Sequence, residues 1–230
     1  MISVSDLRFA YPGSDFQLAV DSLEISAAQK IAVVGPSGSG KTTLLNLISG
    51  ISVPSSGKVT VDGITISGLS DSARRNFRIG NIGMVFQQFE LVEYLNARDN
   101  ILLPFEINRS LTKTSRTVEQ SVAVAERLGL GDKLRRYPHQ LSQGEQQRVA
   151  ICRAVATEPK LILADEPTGN LDPANKSRIM ELLFEQVALA GQTLVVVTHD
   201  MSLLDGFDRV VDFQQFRVTA SATEAADGLA

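Results

Sequence analysis

Gly35-Pro36-Ser37-Gly38-Ser39-Gly40-Lys41-Thr42, followed at once by Thr43-Leu44-Leu45-Asn46-Leu47-Ile48, is the stretch on which the fold turns. The first eight residues fit G-x-x-x-x-G-K-[ST]; the apolar run Ile31-Ala32-Val33-Val34 precedes them, and the helical run after them stops near Gly50. That strand–loop–helix context is what separates a phosphate-holding loop from an ordinary glycine-rich turn. Glycines let the backbone wrap an anion, with N–H groups and the start of the following helix pointing at its oxygens. Lys41 is placed to reach the β- and γ-phosphates of a nucleotide, and the Thr42 hydroxyl to ligate Mg²⁺. Residues 35–43, Thr43 included, form the candidate nucleotide-binding set.

Outward from this loop the chain keeps the same grammar. Residues 2–11 and 16–25 alternate apolar and polar around Pro12-Gly13, and residues 57–66 carry Asp62-Gly63, a hairpin signal, between β-branched residues. The middle turns helical: Val118, Val122, Ala125 and Leu128 share one face, and Gly129 is the stop. The last third reads as a strand over 161–164, a helix over 173–190 and a strand over 193–197. Strand–helix–strand units predict a parallel sheet covered on both faces. The tail, 220–230, is small and polar and is expected to be loosely held.

A second chemical element closes the strand Leu161-Ile162-Leu163-Ala164 with Asp165-Glu166-Pro167. A buried strand delivers two carboxylates to the C-terminal edge of the sheet, where α/β proteins bind ligands. Adjacent side chains on a strand point opposite ways, so both can serve one site only where the strand ends, and Pro167 fits that ending. Asp165 is placed to hold Mg²⁺ through water, and Glu166 to act as the base that polarises an attacking water.

Composition narrows the class. The 230 residues carry a formal charge of −4, 6% aromatics and no Trp, which argues against a nucleic-acid platform. The clusters Arg74, Arg75, Arg78 and Lys133, Arg135, Arg136 read as solvated helix faces. The single cysteine, Cys152, lies in an apolar run and predicts core packing in a reducing compartment. Two histidines and one cysteine make no zinc cluster, and His139 reads as a surface residue. No apolar stretch reaches the ~18 residues that would cross a bilayer, so a membrane role is expected to come through a partner.

Leu141-Ser142-Gln143-Gly144-Glu145-Gln146-Gln147-Arg148 looks like the signature LSGGQ-x-Q-R of the ATP-binding-cassette ATPases, and the resemblance covers nearly the whole chain. Gln143 replaces the family's first glycine and Glu145 its glutamine, while Ser142 and Gly144 are intact. The resemblance implies that Ser142, Gln143, Gly144 and Glu145, at a helix N-terminus, serve the nucleotide held by a neighbouring protomer. Gln143 either bonds across that dimer or slows its closure. Tyr11 resembles the aromatic that stacks on adenine, its alternative being core packing. Gln87 resembles the loop glutamine that touches Mg²⁺, with Gln88 the alternative by one residue. Asn170-Leu171-Asp172 resembles the loop that crosses the dimer interface, and His199 the histidine that contacts the γ-phosphate. Glu166, His199 and Gln87 are then the catalytic set; Thr42, Gln87 and Asp165 the metal set; Tyr11, residues 35–43, Ser142 to Glu145 and Asp172 the nucleotide-binding set.

The implied fold is an α/β phosphate-loop NTPase: a mostly parallel sheet, an antiparallel β lobe and an inserted helical lobe. As one nucleotide-binding domain over 1–230, its core lobe would span 1–87 and 159–230 and its helical lobe 88–158. Asp165 to Asp172 resembles the lipoprotein-release and macrolide-export branch, as does Asp99-Asn100-Ile101-Leu102-Leu103-Pro104. The implied activity is ATP hydrolysis with Mg²⁺, driving a transporter from the cytoplasmic face of the membrane. Its partners would be a second ATP-binding subunit and an integral permease, with no nucleic acid. Residues 89–105 lie where the family docks its membrane subunit, with Phe89, Leu91, Tyr94 and Leu95 offering apolar surface. The alternatives are a motor that signals through its membrane partner without transport, a soluble cassette ATPase, and a slow regulatory module.

Overall fold

The alternation of the first third becomes β1 (Ile2–Ala10) and β2 (Gln17–Ile25), antiparallel with Val4 opposite Leu23 and Leu7 opposite Val20. In this computed structural model residues 1–216 are described, Ala174 without its side chain, so the stretch 220–230 lies outside the described residues. β3 (Lys30–Val34) leads through the glycine-rich loop into α1 (Lys41–Ile48). β4 (Ser56–Val61) and β5 (Ile64–Thr65) are joined by Asp62 (φ 49°) and Gly63 (φ 78°), the left-handed pair of a tight hairpin. β4 returns to β1, giving an antiparallel sheet of order β2-β1-β4-β5.

The chain continues through α2 (Asp71–Asn81), β6 (Ile82–Val85), α3 (Ala97–Ile107), α4 (Ser115–Arg127), α5 (Gln143–Val155), β7 (Leu161–Asp165), α6 (Pro173–Ala190), β8 (Thr193–Thr198) and β9 (Arg209–Asp212). Five strands form the second sheet in the order β6-β7-β8-β3-β9, each pair parallel. The pleat sorts the side chains of its central strands between two cores. Leu161, Leu163, Val195 and Val197 join α1 and the antiparallel sheet in one; Ile162, Ala164, Leu194 and Val196 join the buried faces of α3 to α6 in the other. Central strands buried on both faces must be apolar throughout, which is why β7 and β8 read as continuous runs rather than alternations. Cys152 sits in the second core, and burial pushes its thiol pKa up to about 12.

One close approach sets the geometry between sheet and helices. A Cβ at Gly83 of β6 would collide with the backbone carbonyl of Ala154, so β6 and α5 touch main chain to main chain. α3 and α4 both pack on α5, and α3 is preceded by a loop stapled by Asn100. That fully buried amide accepts from Val92 N and donates to the carbonyls of Val92, Leu95 and Asn96.

The basic cluster on α2 departs from the expected solvated face. Only Arg75 is exposed; Arg74 packs its stem under Gly50 and donates to Leu69 O, and Arg78 reaches Ser49 O. Burial, then the charges of Arg75 and Arg74, lower the pKa of Arg78. Long cationic stems cover apolar surface while their heads find carbonyls, and charge patterning does not distinguish this from simple exposure.

Candidate functional site

The sheet order places β7, β8 and β3 side by side, with Asp165 opposite Val197 and Val34 opposite Thr198. Their C-terminal ends therefore open onto one edge, and the loop between β3 and α1 crosses it. α1 begins at Gly40 in the left-handed region (φ 109°), where the Phe16 ring would collide with any Cβ. No side chain caps α1, whereas α2 to α6 are each capped, by Ser70, Asn96, Thr114, Ser142 and Asp172. The first bond in this helix is Leu44 N to Gly40 O, so the N–H groups of Lys41, Thr42 and Thr43 stand ahead of it. Ser39 Oγ is buried without a hydrogen bond. The uncapped helix start and this orphaned hydroxyl are what a phosphate would satisfy.

Lys41 is 6% exposed, and its Nζ donates to Gly35 O (2.7 Å) and Pro36 O (2.9 Å). The loop's own carbonyls thus hold the buried ammonium in place. Glu166 Oε1 lies 3.9 Å from it. Thr42 donates its hydroxyl to Asp165 Oδ1 at 3.1 Å. Burial raises the pKa of Asp165, the Thr42 bond opposing that and the Glu166 charge adding to it.

Glu166 sits just past the end of β7 with φ 45°, its N–H donating to Val197 O at 3.0 Å. This left-handed step is how two adjacent carboxylates come to serve one edge. Both oxygens of Glu166 face His199: Oε2 accepts the backbone N–H (3.4 Å), and Oε1 lies 2.9 Å from Nδ1. Thr42 with Asp165, and Lys41 with Glu166 and His199, therefore form two bonded groups set side by side on one edge.

The other candidates stand around it. Tyr11 is 40% exposed, packs edge-on against Phe9 (4.8 Å) and lies 5.7 Å from Phe16; its hydroxyl is 3.1 Å from Thr43 Oγ1. It is both packed on one edge and open on another, and the Thr43 side chain is buried against it. Gln87 is exposed beside Gly169, and its carbonyl accepts from Asn170 Nδ2 at 2.8 Å. Asp172 caps α6, accepting from Asn175 N and Asn175 Nδ2.

Ser142, Gln143, Gly144 and Glu145 open α5. Among the described residues no hydrogen bond or ion pair joins them to the phosphate loop. Ser142 N donates to Glu145 Oε2 (2.8 Å) and Ser142 Oγ accepts from Glu145 N (3.3 Å), a reciprocal capping box. The backbone bond from Ser142 is the main influence lowering the pKa of Glu145, and Lys133 lies 3.9 Å away. A hydroxyl that accepts in a cap still has its own proton to donate. Gln143 is exposed and Gly144 buried. The box S-x-x-E was readable in the sequence; Glu145 is the cap's partner as well as a departure from the family glutamine.

Several contributors have no short motif. Fully buried Gln147 donates from Nε2 to Pro167 O, directly behind Glu166. Lys176 pairs with Asp200 at 2.8 Å, tying α6 to the residue after His199. Of the apolar surface expected over 89–105, Phe89 is buried and Leu91 and Leu95 are half-buried, leaving Tyr94 exposed. The open surface is a groove of about 470 Å³ that shares Glu90, Leu103 and Pro104 with that stretch and adds Ile51, Met84, Phe86 and Ile107 to its walls.

The family model described as ABC transporter matches residues 18–169. The lipoprotein-releasing system ATP-binding protein LolD of Nitrobacter winogradskyi is 39% identical over 220 residues, covering 94% of each chain. The macrolide export ATP-binding/permease protein MacB of Rhodopirellula baltica is 40% identical over 229 residues, covering 98% of this chain but 34% of that protein. Among solved structures, a dimeric post-hydrolysis state of the ATP-binding cassette MJ0796 bound to ADP and Pi superimposes with TM-score 0.80 at 33% identity, covering 94% of each chain.

Proposed function

The chain belongs to the ABC transporter family as an ATP-binding ATPase, and on that premise we propose that it drives an export or lipoprotein-extraction transporter from the cytoplasmic face of a membrane, working as a pair of chains that share their nucleotides. The observation that carries this reading is the convergence of Lys41, Thr42, Asp165, Glu166 and His199 on one edge, while Ser142 and Gly144 open a separate helix. The relatives' names support the transport output, and the dimeric cassette supports the pairing.

In this reading the phosphates lie against the N–H groups of residues 41–43 and the Ser39 hydroxyl, and Lys41 trades its loop carbonyls for the β- and γ-phosphates. Thr42 and Asp165 present two hard oxygens 3.1 Å apart, and among the described residues no group of three or more His, Cys, Asp or Glu could hold a metal ion. That donor set fits Mg²⁺, which takes one or two protein oxygens and completes its shell with phosphates and water. When bound, it would neutralise charge on the phosphate oxygens. Glu166 accepts the proton of the attacking water, and His199 orients the carboxylate through both of its oxygens. Gln87 and Tyr11 border the nucleotide as Mg²⁺ and adenine contacts; Asp172, with Ser142 to Glu145, serves the nucleotide of the second chain.

Among the described residues no helix is long and apolar enough to cross a membrane. The membrane partner would be an integral permease whose cytoplasmic segment seats in the groove beside α3.

The test is light scattering on Glu166→Gln with each nucleotide. ATP should give a dimer and ADP a monomer, since only ATP carries the γ-phosphate that both chains enclose. Ser142→Arg added to Glu166→Gln should abolish the dimer without altering ATP affinity of the single chain. A dimer that ignores both changes would sink the shared site.

A further inference from the structure

Phe89 (φ 58°) and Glu90 (φ 51°) are consecutive non-glycine residues in the left-handed region, two and three positions after Gln87. Each such residue is strained, and a pair persists only where the surroundings hold it. The holder is Arg153, near the end of α5: Nη2 donates to Phe89 O at 2.7 Å and Nη1 to Glu90 O. Burial lowers the pKa of this guanidinium, with Glu90 opposing that. Two carbonyls held by one planar fork fix an orientation that a single donor would not.

The same helix begins with Ser142, Gln143 and Gly144. Arg153 lies eleven positions after Ser142, about 16 Å along a stiff α-helix. At its start α5 presents the residues meant for the second chain's nucleotide; near its end it grips the loop that carries Gln87.

We propose that Arg153 is a positioning residue that makes the seating of Gln87 and the placement of the Ser142–Gly144 helix start depend on each other. The inference rests on the shared-site reading above. While Arg153 holds the strained pair, Gln87 can shift on meeting a nucleotide only by carrying α5 with it. Without Arg153 the left-handed pair loses its holder, and Gln87 moves while the helix start stays where it was.

The experiment uses the full chain carrying Glu166→Gln. Single-chain nucleotide affinity is read with a fluorescent ATP analogue, the dimer by light scattering across an ATP titration, and loop protection by amide hydrogen exchange over 86–95. Arg153→Ala should leave single-chain affinity within about twofold, while the ATP needed for half-dimerisation rises roughly ten- to a hundredfold, as expected for lost charge-assisted bonds. Arg153→Lys, which keeps the charge and can make one of the two bonds, should fall between, and it carries the measurement if the alanine variant unfolds. Adding Glu90→Gly to Arg153→Ala relieves strain: it should restore the thermal midpoint but not the dimer. Recovery of the dimer by Glu90→Gly would reduce Arg153 to offsetting strain and overturn the proposal. So would dimerisation of Arg153→Ala at the parent's ATP concentration. A Glu166→Gln parent that never dimerises sinks the shared-site reading and takes this inference with it; a parent dimer indifferent to Arg153 sinks the inference alone.

Discussion

At the scale of single residues the site is organised by what surrounds each charge. Glu166 is held by His199 through both oxygens, and Asp165 is bound by the Thr42 hydroxyl. Glu166→Gln should keep ATP affinity and lower single-site hydrolysis by roughly 10²–10⁴, the worth of a general base. Phosphate release under pre-steady-state conditions checks this, and near-normal turnover would move the base elsewhere. Asp200 is bound by Lys176 and then Ser202, which together hold its pKa at about 2. An Asp carboxyl depressed below its unfolded value of about 3.9 stabilises the fold above that value, and the contribution fades as pH falls toward the folded pKa. Asp200→Asn should therefore be less stable than the wild type in urea at pH 7, with the gap narrowing from about pH 4 downward. A gap independent of pH would mean that the Lys176 pair contributes nothing.

At the scale of elements, α5 is tied to its own chain along its whole length. Its N-terminus is closed by the Ser142–Glu145 box, Gln147 holds Pro167 O behind Glu166, and Arg153 holds the loop after Gln87. Its contact with β6 depends on Gly83, since a Cβ there would meet the Ala154 carbonyl. Backbone cannot step aside as a flexible side chain can. Gly83→Ala should cost about 1–3 kcal/mol, the range for overpacking a filled core. Urea unfolding would measure it, and a loss well under that range would mean that β6 and α5 can separate freely.

At the scale of the whole molecule, two cores share one sheet, and the outer surface carries a recess with apolar walls. Ile51 (47% exposed) and Ile107 (67% exposed) stand on its walls, with Met84 and Phe86 deeper in. Neither isoleucine belongs to the nucleotide group, so Ile51→Asp with Ile107→Asp should leave ATP turnover of the isolated chain intact. In cells the same variant should be found off the membrane, because charge in the recess opposes burial of an apolar partner segment. Fractionation decides it: wild-type sedimentation of the double variant would place the permease contact elsewhere.

Much of this was legible along the chain because its causes are local. The phosphate loop is a contiguous string whose glycines set its backbone. The helix Pro173–Ala190 runs from a capping Asp172 to Gly191, and Asp62-Gly63 states its own hairpin. The continuous apolar runs of β7 and β8 also announced a sheet covered on both faces. Other features were decided only when distant segments met. Glu166 faces His199, 33 positions away, because β7 and β8 are neighbours in the sheet. Arg153 reaches Phe89 across 64 positions, and Arg78 is drawn down to Ser49 O instead of facing water. Propensity and capping act within a few residues, whereas a side chain's partner depends on strand order and packing. A buried arginine and an exposed one are written with the same letter.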